Sequence, residues 1–338
     1  MPNVLQGRKF YQPGALGYEG KMAAAIEKRR ELQLATLFEG VENVGQNDWS
    51  NIPSQVKGEN GESWKKRAEG EQTTFLEIVQ KNILKALDIK PDEMVLDLHF
   101  GSGLFTWEFA RLVQHQSVYT VLHNKDESQM FENISQNKSH IDHIITIQKK
   151  SNKLGDLFTD SDLKGIHFDK ILAFKSFMKW EREGFQDVLL SLVKKGKIVI
   201  FEYIPSKVQR PLDYLTKIKL PEDTRLKWKN AEKQIFSDAK DTQLNWSEKT
   251  IIDLFSNNPH CQCQVELIPQ YEPILFNKNI FERLFGKKEM GKPSYGERMC
   301  KYLGENEYSE LKKLFETNLL GTKTTWLSTY ALITVEVN

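Results

Sequence analysis

Met94-Val-Leu-Asp-Leu-His-Phe-Gly-Ser-Gly-Leu-Phe-Thr-Trp-Glu-Phe-Ala110 decides the fold: an apolar strand runs through an acid into a glycine-bearing turn and then a helix. A strand that stops at Asp97 sets a carboxylate at the carboxyl edge of a sheet. Gly101 and Gly103 let backbone approach a ligand closely, and a helix from about Leu104 aims its first N–H groups at the same spot. Upstream, Leu76, Val79, Ile83 and Leu87 recur at helical spacing and predict a helix over 71–87, with Lys90-Pro91-Asp92-Glu93 as the turn into the strand. A dinucleotide fingerprint needs Gly-x-Gly-x-x-Gly or Ala, and the sixth position counted from Gly101 is Thr106.

Downstream, strands alternate with helices, which predicts a largely parallel α/β sheet. Residues 117–122, 144–147, 168–173 and 197–201 read as the second to fifth strands, and 185–193 as a helix ahead of the fifth. Residues 246–255 read as an amphipathic helix capped by Ser247. Strands follow at 262–268 and 327–337, separated by an insertion over about 271–322 with helical patterns at 278–285, 295–303 and 307–320. The expected organisation is a tail over 1–40, with a helix from about Tyr18 to Phe38, a polar linker over 41–70, and an α/β domain over 71–338.

Of 338 residues, 39% are apolar and 28% charged, enough to bury a full core. No apolar run reaches membrane-spanning length, and Met1-Pro-Asn-Val-Leu-Gln-Gly-Arg-Lys9 lacks the apolar segment of a secretory signal, so no membrane and a cytoplasmic location are expected. Cys261, Cys263 and Cys300 match no zinc spacing and read as reduced thiols, with no metal expected. Forty-seven basic residues against 46 acidic ones give a net charge of +1, which excludes the strong field of a nonspecific nucleic-acid binder. Local basic runs at 149–153, 194–197 and 217–229 read first as solvated faces; the last is also a candidate DNA contact.

Asp97-Leu-His-Phe-Gly-Ser-Gly103 resembles the first motif of class I S-adenosylmethionine-dependent methyltransferases, acidic-x-Gly-x-Gly-x-Gly, with His99 in place of the first glycine. That resemblance implies a three-layer Rossmann-like methyltransferase fold. Its seven-stranded, mostly parallel sheet would carry a helical amino-terminal extension and a helical insertion before the last strand. It also implies S-adenosylmethionine as cofactor, held by Asp97, His99, Phe100, Gly101, Ser102 and Gly103, with Asn124 and Phe174 beside it. The family's ribose-binding acid after the second strand is missing from Leu122-His-Asn-Lys-Asp126. The adenine-side acid after the third is missing from Gln148-Lys-Lys150, and the next acid is Asp156.

After the fourth strand, Ala173-Phe-Lys-Ser-Phe-Met-Lys-Trp180 stands where DNA amino-methyltransferases carry Asn/Asp-Pro-Pro-Tyr/Phe, and no Pro-Cys pair exists for attack on cytosine C5. Standard base methylation is therefore disfavoured. Phe174, Phe177 and Trp180 are candidates for base stacking, though such clusters beside a sheet are more often core. His99, Glu202 and Tyr203 fall along one rim and are candidates for acid/base chemistry. Trp64-Lys-Lys-Arg67 is either a lid or a core cap.

The first residues resemble another family. Arg8, Phe10, Tyr11, Pro13, Gly17, Glu19 and Lys21 match, in order, the extreme carboxyl terminus of replication-associated recombination protein A, a clamp-loader-like AAA+ ATPase. No Gly-x-x-x-x-Gly-Lys-Ser/Thr occurs, so the ATPase core is absent from this sequence. The resemblance implies an ATPase–methyltransferase-like fusion of the cyanobacterial type, with that ATPase or replication proteins as partners. Two functions stay open: a methyltransferase of unknown acceptor, or an inactive methyltransferase-like module for binding or assembly in replication and recombination.

Overall fold

The computed structural model describes Met22, residues 25–36 and residues 71–338 apart from 115–116, 137–140, 160–162, 217, 239–243 and 288–292. The ATPase-like segment Arg8–Lys21, the linker 41–70 and Trp64–Arg67 lie outside the described residues.

A helix over 25–36 (α1) precedes α2 (Glu71–Leu87), after which strands and helices alternate. They run β1 (Val95–Asp97), α3 (Leu104–Leu112), β2 (Val118–Leu122), α4 (Lys125–Ser135), β3 (Ile144–Gln148), β4 (Lys170–Phe174), α5 (Phe185–Leu192) and β5 (Gly196–Tyr203). Then come α6 (Glu222–Ser237), α7 (Glu248–Ser256), β6 (Cys261–Leu275), α8 (Lys278–Phe285), α9 (Tyr295–Leu303), α10 (Glu305–Leu319) and β7 (Lys323–Val337). The sheet order is β3-β2-β1-β4-β5-β7-β6, with β1 to β5 parallel and β7 antiparallel to both neighbours.

The central strands are buried on both faces, as their unbroken apolar runs require. Val95, Val118, Leu172, Val199 and Phe201 face a core completed by α1, α2, α3, α6 and the helices after β6. Leu96, Val121, Ile171, Ile198, Ile200 and Ile333 face the opposite core, closed by α5 and α7. The order reverses between β1 and β4, and the carboxyl-terminal rim at such a reversal is where open α/β sheets bind ligands.

Three elements depart from expectation. β6 continues past Ile268 to Leu275, and Pro269 and Pro273 do not stop it because β6 is the sheet edge, where an N–H facing away from the sheet is dispensable. β7 correspondingly begins at Lys323, so the helical insertion occupies 276–322. The basic stretch 217–229 runs into α6, whose buried stripe Trp228, Ala231, Glu232 and Ile235 has helical spacing. There Lys227 pairs with Glu307 of the insertion.

Candidate functional site

β1 ends at Asp97, and α3 begins at Leu104 after six intervening residues. Gly101 and Gly103 have φ of 54° and 77°, the region that favours glycine. Ser102 Oγ accepts the Leu104 N–H at 3.4 Å at the head of the helix. A Cβ on Gly103 would stand 2.2 Å from Trp107 Nε1 and 2.8 Å from Phe100 Cε2. The space a glycine leaves for a ligand is thus filled by the chain's own rings. Phe100 meets Trp107 edge-on at 5.6 Å, Trp107 stacks on Phe131 of α4 at 5.4 Å, and Leu122 closes the cluster.

Asp97 is fully buried. Its Oδ2 accepts the Thr106 hydroxyl at 2.7 Å and its Oδ1 the His99 N–H at 3.2 Å, while Thr106 Oγ1 lies 3.1 Å from Thr120 Oγ1. Burial pushes this carboxyl up to about 7. The acid ties the turn to α3 and β2.

His99, 3% exposed, has its Nε2 at 2.5 Å from Lys179 Nζ. An ammonium has no acceptor, so Lys179 donates and the ring proton sits on Nδ1, which faces Glu127 Oε1 at 3.7 Å. The ring also meets His123 edge-on at 4.6 Å. His123 Nε2 donates to the Leu98 carbonyl at 2.8 Å and packs against Trp180. Lys149 Nζ lies 4.3 Å over the Trp180 ring and donates to the Lys179 carbonyl at 2.8 Å. Burial, with the neighbouring His99, Lys179 and Lys149 adding to it, pushes His123 down to about 2. A chain of side chains therefore bridges the ends of β1, β2 and β4.

The other expected contacts are placed elsewhere. β2 ends on Leu122, buried among the rings, at the point where a ribose-binding carboxylate would stand. Asn124 caps α4: its Oδ1 accepts the Glu127 N–H at 2.9 Å and its Nδ2 donates to Glu127 Oε1 at 3.3 Å. After β3, Asp156 receives the Ser151 hydroxyl. Phe174 is core, 4.8 Å from Phe105 and stacked at 5.3 Å on Phe201, which stacks in turn on Tyr330.

Glu202 accepts the Phe177 N–H at 2.9 Å and the Tyr203 N–H at 3.2 Å, and burial pushes it up to about 7. It fixes the loop after β4, whereas Tyr203 packs on Tyr330. The structure thus gives His99, Glu202 and Tyr203 separate partners. Phe177 packs on Phe185 and Trp246 in the opposite core. The residues that sequence reasoning passed over are His123, Glu127, Lys149 and Lys179. For His123 and Lys149 the signal was their placement directly after the ends of β2 and β3, whereas Lys179 lies five residues past the end of β4. Among the described residues, no group of three or more His, Cys, Asp or Glu could hold a metal ion, and no helix is long and apolar enough to cross a membrane.

Strand order, the antiparallel seventh strand and the glycine turn at the reversal give the chain the Rossmann-like fold of class I methyltransferases. No family model matches the sequence, and no curated protein matches it. Among solved structures it is similar to the YcgJ protein of Bacillus subtilis, at 15% identity and TM-score 0.44 over 78% of this chain and 99% of that one. It is also similar to a geranyl diphosphate methyltransferase in complex with SAM, at 10% identity and TM-score 0.43 over 83% and 93%. A third is the [4+2]-cyclase SpnF, at 8% identity and TM-score 0.42 over 92% and 95%.

The residues present do not fit S-adenosylmethionine. Its sulfonium is a cation and its ribose presents two hydroxyls. The rim offers two ammonium groups, a leucine at the ribose position and an imidazole at the first glycine.

Proposed function

We propose that this chain is a methyltransferase-fold module that has given up S-adenosylmethionine and serves as a binding or assembly unit in replication and recombination. Its expected partner is the recombination ATPase whose carboxyl terminus residues 8–21 resemble. The observation that supports the first part is the His99–Lys179 bond, which lies at the turn where the fold's motif has a glycine. The resemblance of the tail supports the second part.

Calorimetric titration of the purified chain with S-adenosylmethionine and S-adenosylhomocysteine tests the loss of the cofactor. No heat and no thermal stabilisation at millimolar ligand are expected. Micromolar binding that disappears in Asp97→Ala would instead establish a working methyltransferase site. Retained methyl transfer to an unidentified acceptor is the second reading, and the left-handed glycine pair at the head of α3 favours it. Such transfer relies chiefly on alignment of acceptor and sulfonium, so it would not need a separate acid/base pair. Co-purification of the full chain with the ATPase tests the partnership.

A further inference from the structure

β6 is an outer strand of the sheet, and at 15 residues it is a long one. β7 uses only one side of it. At the two ends of their ladder the Asn338 N–H donates to the His260 carbonyl at 3.0 Å and the Phe276 N–H to the Thr322 carbonyl at 2.9 Å, both in the register of the pairing. Peptide groups alternate sides along a strand, so the even-numbered residues of β6 bond to β7 and the odd-numbered ones turn their N–H and C=O outward. Pro269 and Pro273 are odd-numbered, as residues without an N–H at an edge must be.

The open row is bounded at both ends. Cys261 donates its N–H to the Asn258 carbonyl at 3.0 Å, and Pro269 has none to give. Between them the outward N–H groups of Cys263, Val265 and Leu267 have no partner among the described residues. The Val265 and Leu267 side chains are 44% and 39% exposed. Proteins guard such edges with lysines, prolines, bulges or short length. β6 holds no lysine or arginine, its pairing with β7 is unbulged, and its prolines guard only the second half. β3, at the opposite edge, is five residues long.

We infer that the first half of β6 pairs antiparallel with the same strand of a second copy of this chain, about a two-fold axis at Val265. Antiparallel pairing of a strand with itself is symmetric, so one surface serves both copies. With the axis at Val265, that residue exchanges both bonds with its counterpart, and Cys263 exchanges both with Leu267 of the second copy. Pro269 then lies opposite Cys261, where neither side has an N–H to place. Glu266 lies opposite Gln264, so no like charges meet. Other positions of the axis match less well. At Gln264 it would set Leu267 against Cys261 and leave the Leu267 carbonyl without a donor. At Glu266 it would set Cys263 against Pro269 and bring the two glutamates face to face. The axis at Val265 joins two seven-stranded sheets into one.

The test is sedimentation velocity on the full chain between about 1 and 100 µM, with circular dichroism to show that each variant folds. The natural chain is expected to form a concentration-dependent dimer. Val265→Lys and Val265→Glu each place like charges opposite one another across the axis and are expected to weaken the dimer about tenfold or more, while an equimolar mixture of the two recovers it. Leu267→Pro removes an outward N–H, leaves the even-numbered bonds to β7 in place and is expected to give the same loss without added charge. Tyr271→Ser alters an exposed side chain beyond Pro269 and is expected to change nothing. A natural chain that stays monomeric over the whole range overturns the proposal, as does a dimer unchanged in a folded Leu267→Pro. A mixture no more associated than its two components places the axis elsewhere and also overturns it. Loss of the dimer in Tyr271→Ser would make adhesion of apolar side chains the cause in place of edge pairing. Growth beyond a dimer would require a contact between unlike surfaces, which the two-fold arrangement excludes.

Discussion

Lys179 Nζ donates to His99 Nε2 across 2.5 Å, and this bond fastens the loop after β4 to the turn after β1. These elements flank the point where strand order reverses, which is where open α/β sheets bind ligands. Glu127 of α4 faces the second imidazole nitrogen and also holds the His123 and Asn124 N–H groups.

His99→Gly restores the glycine of the family's motif. The replacement removes the bond to Lys179 and the edge contact with His123, and it frees backbone in the unfolded chain, so a loss of about 2–3 kcal/mol in chemical denaturation is expected. Cofactor binding is not expected to return, because Leu122 still stands at the ribose position. A variant that binds S-adenosylmethionine would show that one imidazole closes the site by itself.

Gly103 and Gly184 have nearly the same backbone, with φ of 77° and 73°, but different surroundings. A Cβ on Gly184 meets nothing within 4 Å, whereas one on Gly103 meets the Trp107 indole at 2.2 Å. Gly184→Ala therefore carries the left-handed penalty alone, about 1–2 kcal/mol. Gly103→Ala adds a clash inside a ring cluster and is expected to cost about 2 kcal/mol more. Thermal melts check the ranking, and Trp107→Ala added to Gly103→Ala is expected to cost less than the sum of the single changes.

The sheet was legible because its signals are local. Val95-Leu96, Val118 to Leu122 and Ile198 to Phe201 are apolar runs bounded by turn residues, and Gly101 and Gly103 mark the reversal. The alternating pattern marks β6 only over 262–268, and its continuation through Pro269 and Pro273 to Leu275 depends on its edge position. The site was legible to a lesser degree. Asp97 and the glycines have a spacing, whereas His123, Lys149 and Lys179 meet only after three separate strands are laid side by side. Asn124 misled because a cap and a ribose contact ask for the same side chain at adjacent places.

Glu202 makes stability depend on pH. Its carboxyl is pushed by burial from the ordinary 4.5 to about 7, so between those values the folded chain holds a proton that the unfolded chain has released. Its contribution is fully present below about 4.5, is lost as pH rises through about 7, and amounts to on the order of 3 kcal/mol. His123 acts in the opposite direction: pushed down to about 2, it costs stability as pH falls below its ordinary 6.5. Glu202→Gln leaves His123 untouched, so the difference between variant and natural chain isolates the carboxyl. The variant is expected to be the less stable at pH ~5 and to draw level or pass the natural chain at pH ~8. Urea denaturation at the two values decides, and an equal difference at both would show that Glu202 does not titrate there.

Arg111 joins α1 to the sheet domain. Its Nη1 and Nη2 donate to the two Glu31 carboxylate oxygens at 3.1 and 2.7 Å, and it also binds Glu108, which in turn takes Lys28 at 3.2 Å. Beneath these charges Leu32 and Ala35 enter the core with α2 and α3. The Arg111 side chain is 34% exposed and that of Glu31 only 6%, so removing the guanidinium leaves a carboxylate that water reaches poorly. Arg111→Ala is expected to cost about 1–2 kcal/mol, below the figure for a fully buried pair because solvent screens the arginine. Arg111→Lys should recover only part of this, since an ammonium cannot grip both Glu31 oxygens in the plane of a guanidinium. Hydrogen exchange locates the effect. If the pair fastens α1, protection falls at residues 25–36 first while β1 to β5 stay protected. A uniform fall across the chain would place Arg111 in the stability of the whole fold instead.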